Sequence, residues 1–243
     1  MSYLLAEVCW PDVAAYLEND DRIILPVGST EQHGRHLPLG TDAMVPAELA
    51  RRLGERTGVL AAPALPYGMS LHHLGFPGSI SLRPETLAHV AEDILRSLYR
   101  HGFRRIFLLN GHGGNGASLQ VALANMMGDL PDLAVKMRHW WRESALSQLL
   151  QKAVGVPGAR HADVGETAPM MALYPDLVRL ERAQYSPDAD AGPVEVLTEH
   201  VFRQRFPHGV IGADPRLASA ELGEQMLALL VDLYADQLAG WQE

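Results

Sequence analysis

The sequence has little of what would send it outside the cell, into a membrane or onto a nucleic acid. Its single cysteine, Cys9, excludes an intrachain disulfide. No apolar run approaches the roughly 20 residues that span a bilayer. The N-terminus lacks the basic segment, apolar stretch and cleavage site of a secretion signal, so a reducing cytoplasm is the expected location and no membrane partner is expected. Basic residues are also short, with 20 Lys and Arg against 29 Asp and Glu and a net charge of −9. The Lys/Arg clusters that neutralise phosphates are missing, and nucleic acid is not an expected partner.

What is present is an ordinary globular composition, 47% hydrophobic and 20% charged, with eleven histidines. Several of these histidines sit beside glycines or carboxylates in loops. Ile23 to Gly28 reads as a buried parallel strand entering a loop that holds Glu31, His33, His36 and Asp42. A second apolar run, Val59 to Leu65, opens a loop carrying Ser70, His72 and His73. The spacing predicts an amphipathic helix over 84–101, a strand over 105–109, a glycine-rich loop from Asn110 to Gly116, and a helix over 117–127. A strand over 133–137 runs into Trp140 and Trp141. A Gly/Pro-rich loop over 151–160 leads to His161, Glu166 and a helix ending near Leu173. Residues 185–215 read as irregular, and 216–241 as a closing helix. Strand, glycine loop and helix in succession imply an α/β fold with a parallel central sheet flanked by helices, as a single domain over 1–243.

In such sheets ligands bind beyond the carboxyl ends of the strands, where each of these loops falls. Glu31, His33, Asp42, His112 and Glu166 offer imidazole and carboxylate without thiolate, a donor set for zinc, manganese or iron. Taken singly, each carboxylate is more commonly a solvated or helix-capping group; the joint placement points to metal. One carboxylate can bridge two cations, and a water between them is deprotonated near neutral pH, which suits hydrolysis of an amide. The leaving nitrogen needs a proton, and His161, outside the ligand set, is the titratable candidate.

Together the segments Gly28 to Gly34, His36-Leu37-Pro38 with Asp42, Asn110 to Asn115, His161 to Thr167, and Gly209 to Gly212 with Asp214-Pro215 resemble the creatininase family in order and spacing. The resemblance implies a homohexamer with a binuclear metal centre, two divalent ions per subunit. It implies that Glu31 and His112 bind one ion, His33 the other, and Asp42 both, and that His161 is the acid/base. Relatives implied by the glycine-rich loop include deformylases of formamidopyrimidine nucleotides and peptidases that mature modified peptides.

The chain departs from the creatinine hydrolases at several positions. Gly114 stands where they carry a glutamate ligand, so Glu166 is assigned to the second ion and to the catalytic set. Pro157 replaces a substrate-stacking tryptophan, which argues against creatinine. Arg35, His72, His73, Trp140 and Trp141 are the candidate contacts to a small amide substrate. Two other classes compete: a nucleotide-binding enzyme using the 111–116 loop, which lacks regular G-x-G-x-x-G spacing, and a non-catalytic binding or assembly protein stabilised by a structural ion.

Overall fold

The computed structural model describes residues 2–187 and 197–241. Four parallel strands, β1 (Arg22–Val27), β2 (Leu60–Ala61), β3 (Arg105–Asn110) and β4 (Ala134–His139), form one sheet in the order β2-β1-β3-β4. Ile24 of β1 pairs with Phe107 of β3, and Val27 with Asn110. Alternation along these strands sends Ile23, Leu25, Ile106 and Leu108 to one face, and Ile24, Phe107 and Leu109 to the other.

The first face is covered by α3 (Pro84–His101) and α4 (Asn115–Met126), through Ala88, Leu95, Leu119 and Met126. The second is covered by α2 (Thr41–Thr57), α5 (Ser144–Val154), α6 (Val164–Leu173) and α8 (Ala220–Ala239), through Leu49, Leu150, Ala168 and Met226. Two further helices, α1 (Trp10–Leu17) and α7 (Glu199–Arg205), complete the description. The result is the single-domain α/β sandwich that the sequence predicts. No helix among the described residues is long and apolar enough to cross a membrane.

Several boundaries differ from expectation. The run 59–65 pairs as strand only at Leu60–Ala61, with one later bridge from Leu65 to Val27, because Pro63 has no N–H to extend the ladder. The loop over 151–160 is helical to Val154 and turns at Gly155, whose φ of 75° suits glycine. The irregular stretch 185–215 contains α7, capped by Thr198; residues 188–196 of that stretch lie outside the described residues. The closing helix starts at Ala220 rather than 216, where the Ser219 side chain accepts from Leu222 N–H.

The most consequential correction concerns Asp42, which belongs to the first turn of α2 and not to a loop. Pro46 obscures that helix in the sequence, and its missing N–H leaves the Asp42 carbonyl without its i+4 donor. Two glycines close on this carbonyl instead. A Cβ on Gly28 would lie 2.4 Å from it, and one on Gly111 2.0 Å. The loops after β1 and β3 therefore meet over the start of α2 only because both positions are glycine.

Candidate metal centre

That meeting point gathers the polar residues. Glu31, His33, Asp42 and Glu166 are buried, as is His112, at the carboxyl end of the sheet. His33 Nε2 lies 2.9 Å from Asp42 Oδ1 and 3.4 Å from Glu166 Oε2. His112 Nδ1 lies 3.0 Å from Asp42 Oδ2, and its Nε2 3.2 Å from Glu31 Oε2. Donor atoms bound at about 2.1 Å to one cation stand roughly 3.0–3.4 Å apart, a spacing that His33 Nε2 approaches with Asp42 and Glu166; the two His112 contacts are made by opposite ring nitrogens, one of which can bind an ion while the other stays with its neighbours. Among the described residues three groups have mutually close ligand atoms: Glu31, Asp42 and His112; His33, His161 and Glu166; and Glu31, His73 and His161. Glu31 Oε1 and Asp42 Oδ2 are buried without hydrogen-bond geometry to any partner, as suits oxygens that serve a cation.

Neighbouring groups aim the ligands. Ser29 and Ser70 both donate to Glu31 Oε2, at 3.0 and 2.5 Å. The His33 Nδ1 faces the Glu31 carbonyl at 3.1 Å. Asn110 donates to the His112 carbonyl at 2.7 Å, and Asn115 donates to the Gly28 carbonyl at 3.0 Å, tying the β3 loop to the β1 loop. At the head of α6, Glu166 Oε2 accepts from Ala162 N–H at 2.5 Å, and the Asp163 cap accepts from Gly165 N–H at 2.8 Å.

The electrostatics are those of a concentrated charge cluster. Burial works against a charged His33, but Asp42 and then Glu166 carry its pKa up to about 10. His112 is likewise opposed by burial and raised by Glu31 and Asp42 to about 9. Burial and the Asp42 charge push Glu166 up to about 8, against His33, while Asp42 is held far below the carboxylate range by the two histidines despite its burial. Carboxylates this close repel one another unless cations lie among them.

The remaining expected residues divide. His161 is 3.7 Å (Nδ1) from Glu31 Oε1, and its backbone is clamped in both directions to Ile211, at 3.0 and 2.9 Å. His73 is buried with Nε2 3.1 Å from Glu31 Oε1. His72 and Trp141 line a cleft of about 1140 Å³ above the cluster. Arg35 and Trp140 are not on that cleft: Arg35 is exposed to solvent, and Trp140 is packed in the core beside the sheet. The sequence reading also missed residues that the fold brings in. Gln32 bridges His73 and His161, and Phe202 of α7 sets its ring 4.6 Å from His73 and 5.2 Å from His72. The Phe202/Phe206 pair at helical spacing, behind Thr198, is the signal for α7.

The 111–116 loop is not a phosphate cradle. His112 turns inward between two carboxylates, which repel an anion, and the bare Gly114 Cα packs against the Met69 carbonyl and His112.

A buried histidine and carboxylate cluster at the carboxyl end of a parallel α/β sheet, under an open cleft, defines a metal-dependent hydrolase. Comparison with known proteins makes this specific. The family model for creatininase, described as creatinine amidohydrolase, matches residues 6–238, and the chain belongs to the creatininase family of metal-dependent amidohydrolases. It is 33% identical to creatinine amidohydrolase of Pseudomonas putida, covering 98% of this chain and 96% of that one. It is 32% identical to a mycofactocin precursor peptide peptidase of Mycolicibacterium smegmatis, over 90% and 85% of the two chains. It is 28% identical to a 3-dehydro-scyllo-inosose hydrolase of Thermotoga maritima, over 91% and 78%. A crystal structure of creatininase superposes with a TM-score of 0.86 over 98% of this chain and 96% of that one, at 33% identity. Solved creatininase structures include a manganese form and a Zn-Zn form of a variant.

Proposed function

We propose that the chain hydrolyses the C–N bond of a small cyclic or linear amide other than creatinine, with two divalent cations per subunit. Glu31, Asp42 and His112 would hold one, and His33, Asp42 and Glu166 the other; zinc, manganese and iron suit these donors. The observation that carries this reading is the division of Asp42, with Oδ1 2.9 Å from His33 and Oδ2 3.0 Å from His112. One carboxylate thus reaches a histidine of each proposed site. Bound there, the cations supply Lewis-acid polarisation of the amide carbonyl and activation of water.

The chain's own residues do the rest. His161, beside Glu31 at the edge of the cluster, carries a proton to the leaving nitrogen. Glu166, in addition to its place in the second group, takes up the proton that water loses. His72, His73 and Trp141 contact the substrate in the cleft, with Phe202 behind the two histidines.

Gly114 and Pro157 argue against creatinine. A Cβ on Gly114 would lie 2.2 Å from the Met69 carbonyl, so this backbone has no room for a glutamate ligand there. Pro157, on the cleft, offers no indole to stack on a ring. The family resemblance supports a homohexamer working in the cytoplasm, which light scattering and fractionation measure.

The test is a screen of cyclic amides, linear amides, formamides and short peptides with the zinc, manganese and iron forms, with creatinine as reference. Turnover of another amide well above creatinine is expected. Creatinine as the best substrate would overturn the substrate reading, and a tightly held ion with no amide turned over would favour a structural ion.

A further inference from the structure

Ala162, between the proposed acid/base His161 and Asp163, has a φ of 52°, the one left-handed value outside glycine among the described residues. A residue with a Cβ avoids that region, and one found there is held by its surroundings. On one side of it His161 is bridged to Ile211 in both directions, at 3.0 and 2.9 Å. On the other side α6 begins. The left-handed turn folds the head of α6 back over the preceding peptide units, so that the Ala162 N–H donates to Glu166 Oε2 at 2.5 Å, the same oxygen that lies 3.4 Å from His33 Nε2.

Asp163 is 0% exposed and accepts more hydrogen bonds than a helix cap needs. Its Oδ1 takes the ordinary cap bond, from Gly165 N–H at 2.8 Å. Its Oδ2 accepts from Arg160 N–H at 3.1 Å and from Ala213 N–H at 3.4 Å. These two donors flank the His161–Ile211 bridge, one on each segment. A Cβ on Gly212, whose φ is 112°, would lie 2.5 Å from Oδ2, so the 211–213 segment reaches the carboxylate only with glycine there. A carboxylate has acceptor positions for all three N–H groups, whereas a serine or threonine cap has one oxygen close to the backbone. Asp163 thus ties the chain before Ala162 and the 211–213 segment to the helix that follows.

We propose that Asp163 is a positioning residue: its two bonds through Oδ2 hold Ala162 in the left-handed conformation, and this turn sets His161 and Glu166 in their places at the cluster. The catalytic consequence rests on the reading of His161 as the acid/base and of Glu166 as a ligand of the second ion. Asp163 touches no reacting atom and acts only through the backbone at 160–162 and 213. An ordinary helix cap would need the Gly165 bond alone, and it would leave Ala162 free to return to a negative φ.

Crystal structures of the zinc-loaded protein, zinc retention after dialysis, and kcat and KM on the amide that a substrate screen selects test this on Asp163→Ser, alone and combined with Ala162→Gly. Serine keeps an oxygen for the Gly165 N–H but is too short to reach Arg160 and Ala213. The wild-type protein is expected to show Ala162 left-handed and in contact with Glu166. In Asp163→Ser, Ala162 is expected at a negative φ with that contact broken, zinc retention lowered, and kcat down roughly 10- to 100-fold with KM within about threefold. Glycine takes the left-handed conformation without being held, so in the Ala162→Gly background the same change at 163 is expected to lower kcat by no more than about threefold. An equal loss in both backgrounds, or Ala162 unmoved in Asp163→Ser, overturns the proposal, as does a negative φ in the wild type, which is read without any variant. If Ala162 moves as stated while His161→Ala retains turnover, the positioning by Asp163 stands and the acid/base reading of His161 fails, so the two are separable.

Discussion

At the floor of the cleft Glu31 and His33 are 0% exposed, Asp42 3% and Glu166 4%, whereas on its rim Leu71 is 42% exposed and Arg142 and Pro157 stand in solvent. Floor residues come from strand ends and helix starts that the core holds in place: Glu31 and His33 follow β1, Asp42 opens α2, His112 follows β3, and Glu166 opens α6. Rim residues come from connections, namely the turn after β2, the segment between β4 and α5, the 155–160 loop and the start of α7. The floor has little freedom to change, because its side chains are buried and pack against one another at 2.9–3.4 Å. The rim can change without disturbing the sheet. On the proposed reading the floor would carry the chemistry and the rim the choice of substrate.

The largest effect should follow from removing the residue that both halves of the floor share. Asp42→Ala should abolish turnover and leave His33 with Glu166 and His112 with Glu31 but no carboxylate shared between them, so that metal-loaded protein is not recovered. Elemental analysis of the purified variant checks this. His161→Ala should retain its metals and fold while losing roughly 10²- to 10⁴-fold in rate, the usual worth of general acid catalysis. Glu166→Ala should instead lower metal content. Measuring rate, metal and melting temperature on both separates a proton carrier from a ligand, and loss of metal in His161→Ala would make it a ligand.

Gly114→Ala tests how tightly the floor is packed. Its Cβ would sit 2.2 Å from the Met69 carbonyl and 2.5 Å from His112 Nε2, and overpacking of this kind costs roughly 1–3 kcal/mol. A lowered melting temperature with weakened metal retention is expected, and an unchanged one would show that the β3 loop yields. On the rim, Trp141→Ala should raise KM about 10-fold with kcat within about threefold, since contact with substrate is lost and the reacting centre is not touched. An equal fall in kcat would place Trp141 in the chemistry.

The smallest effect lies beneath the floor. His36 is buried with Nε2 3.0 Å from Thr167 Oγ1, and burial, with the His33 charge, holds its pKa down at about 4, below the ordinary 6.5. The folded state then binds fewer protons than the unfolded one between pH 6.5 and 4, so this group's contribution to stability is present above the window and is lost as the pH falls through it. The loss is at most roughly 3 kcal/mol. Acid melts of metal-stripped protein should be shallower in His36→Gln than in wild type, and identical curves would contradict the assignment.

The sequence alone goes far on the floor and less far on the rim. Strands β1 and β3 and helix α3 are legible because buried parallel strands are short apolar runs and an amphipathic helix repeats at 3.6 residues. Glu31, His33, Asp42, His112 and Glu166 are legible as a group because each follows or opens such an element. The helical setting of Asp42 is hidden by Pro46, which the packing of Gly28 and Gly111 accommodates. Gln32 is hidden for another reason: an amide between two histidines that lie 41 and 129 positions away has no local pattern. Phe202 reaches His72 and His73 only through the placement of α7, and Trp140 and Trp141, adjacent in sequence, part company because one faces the core and the next the cleft.

The central claim is that one buried carboxylate joins two cation sites in this chain. Metal-stripped wild-type protein titrated with zinc or manganese, followed by calorimetry and by elemental analysis after dialysis, measures it most directly. The account predicts two equivalents per chain in the wild type and none retained in Asp42→Ala. A single equivalent in the wild type, or full retention in Asp42→Ala, would contradict it.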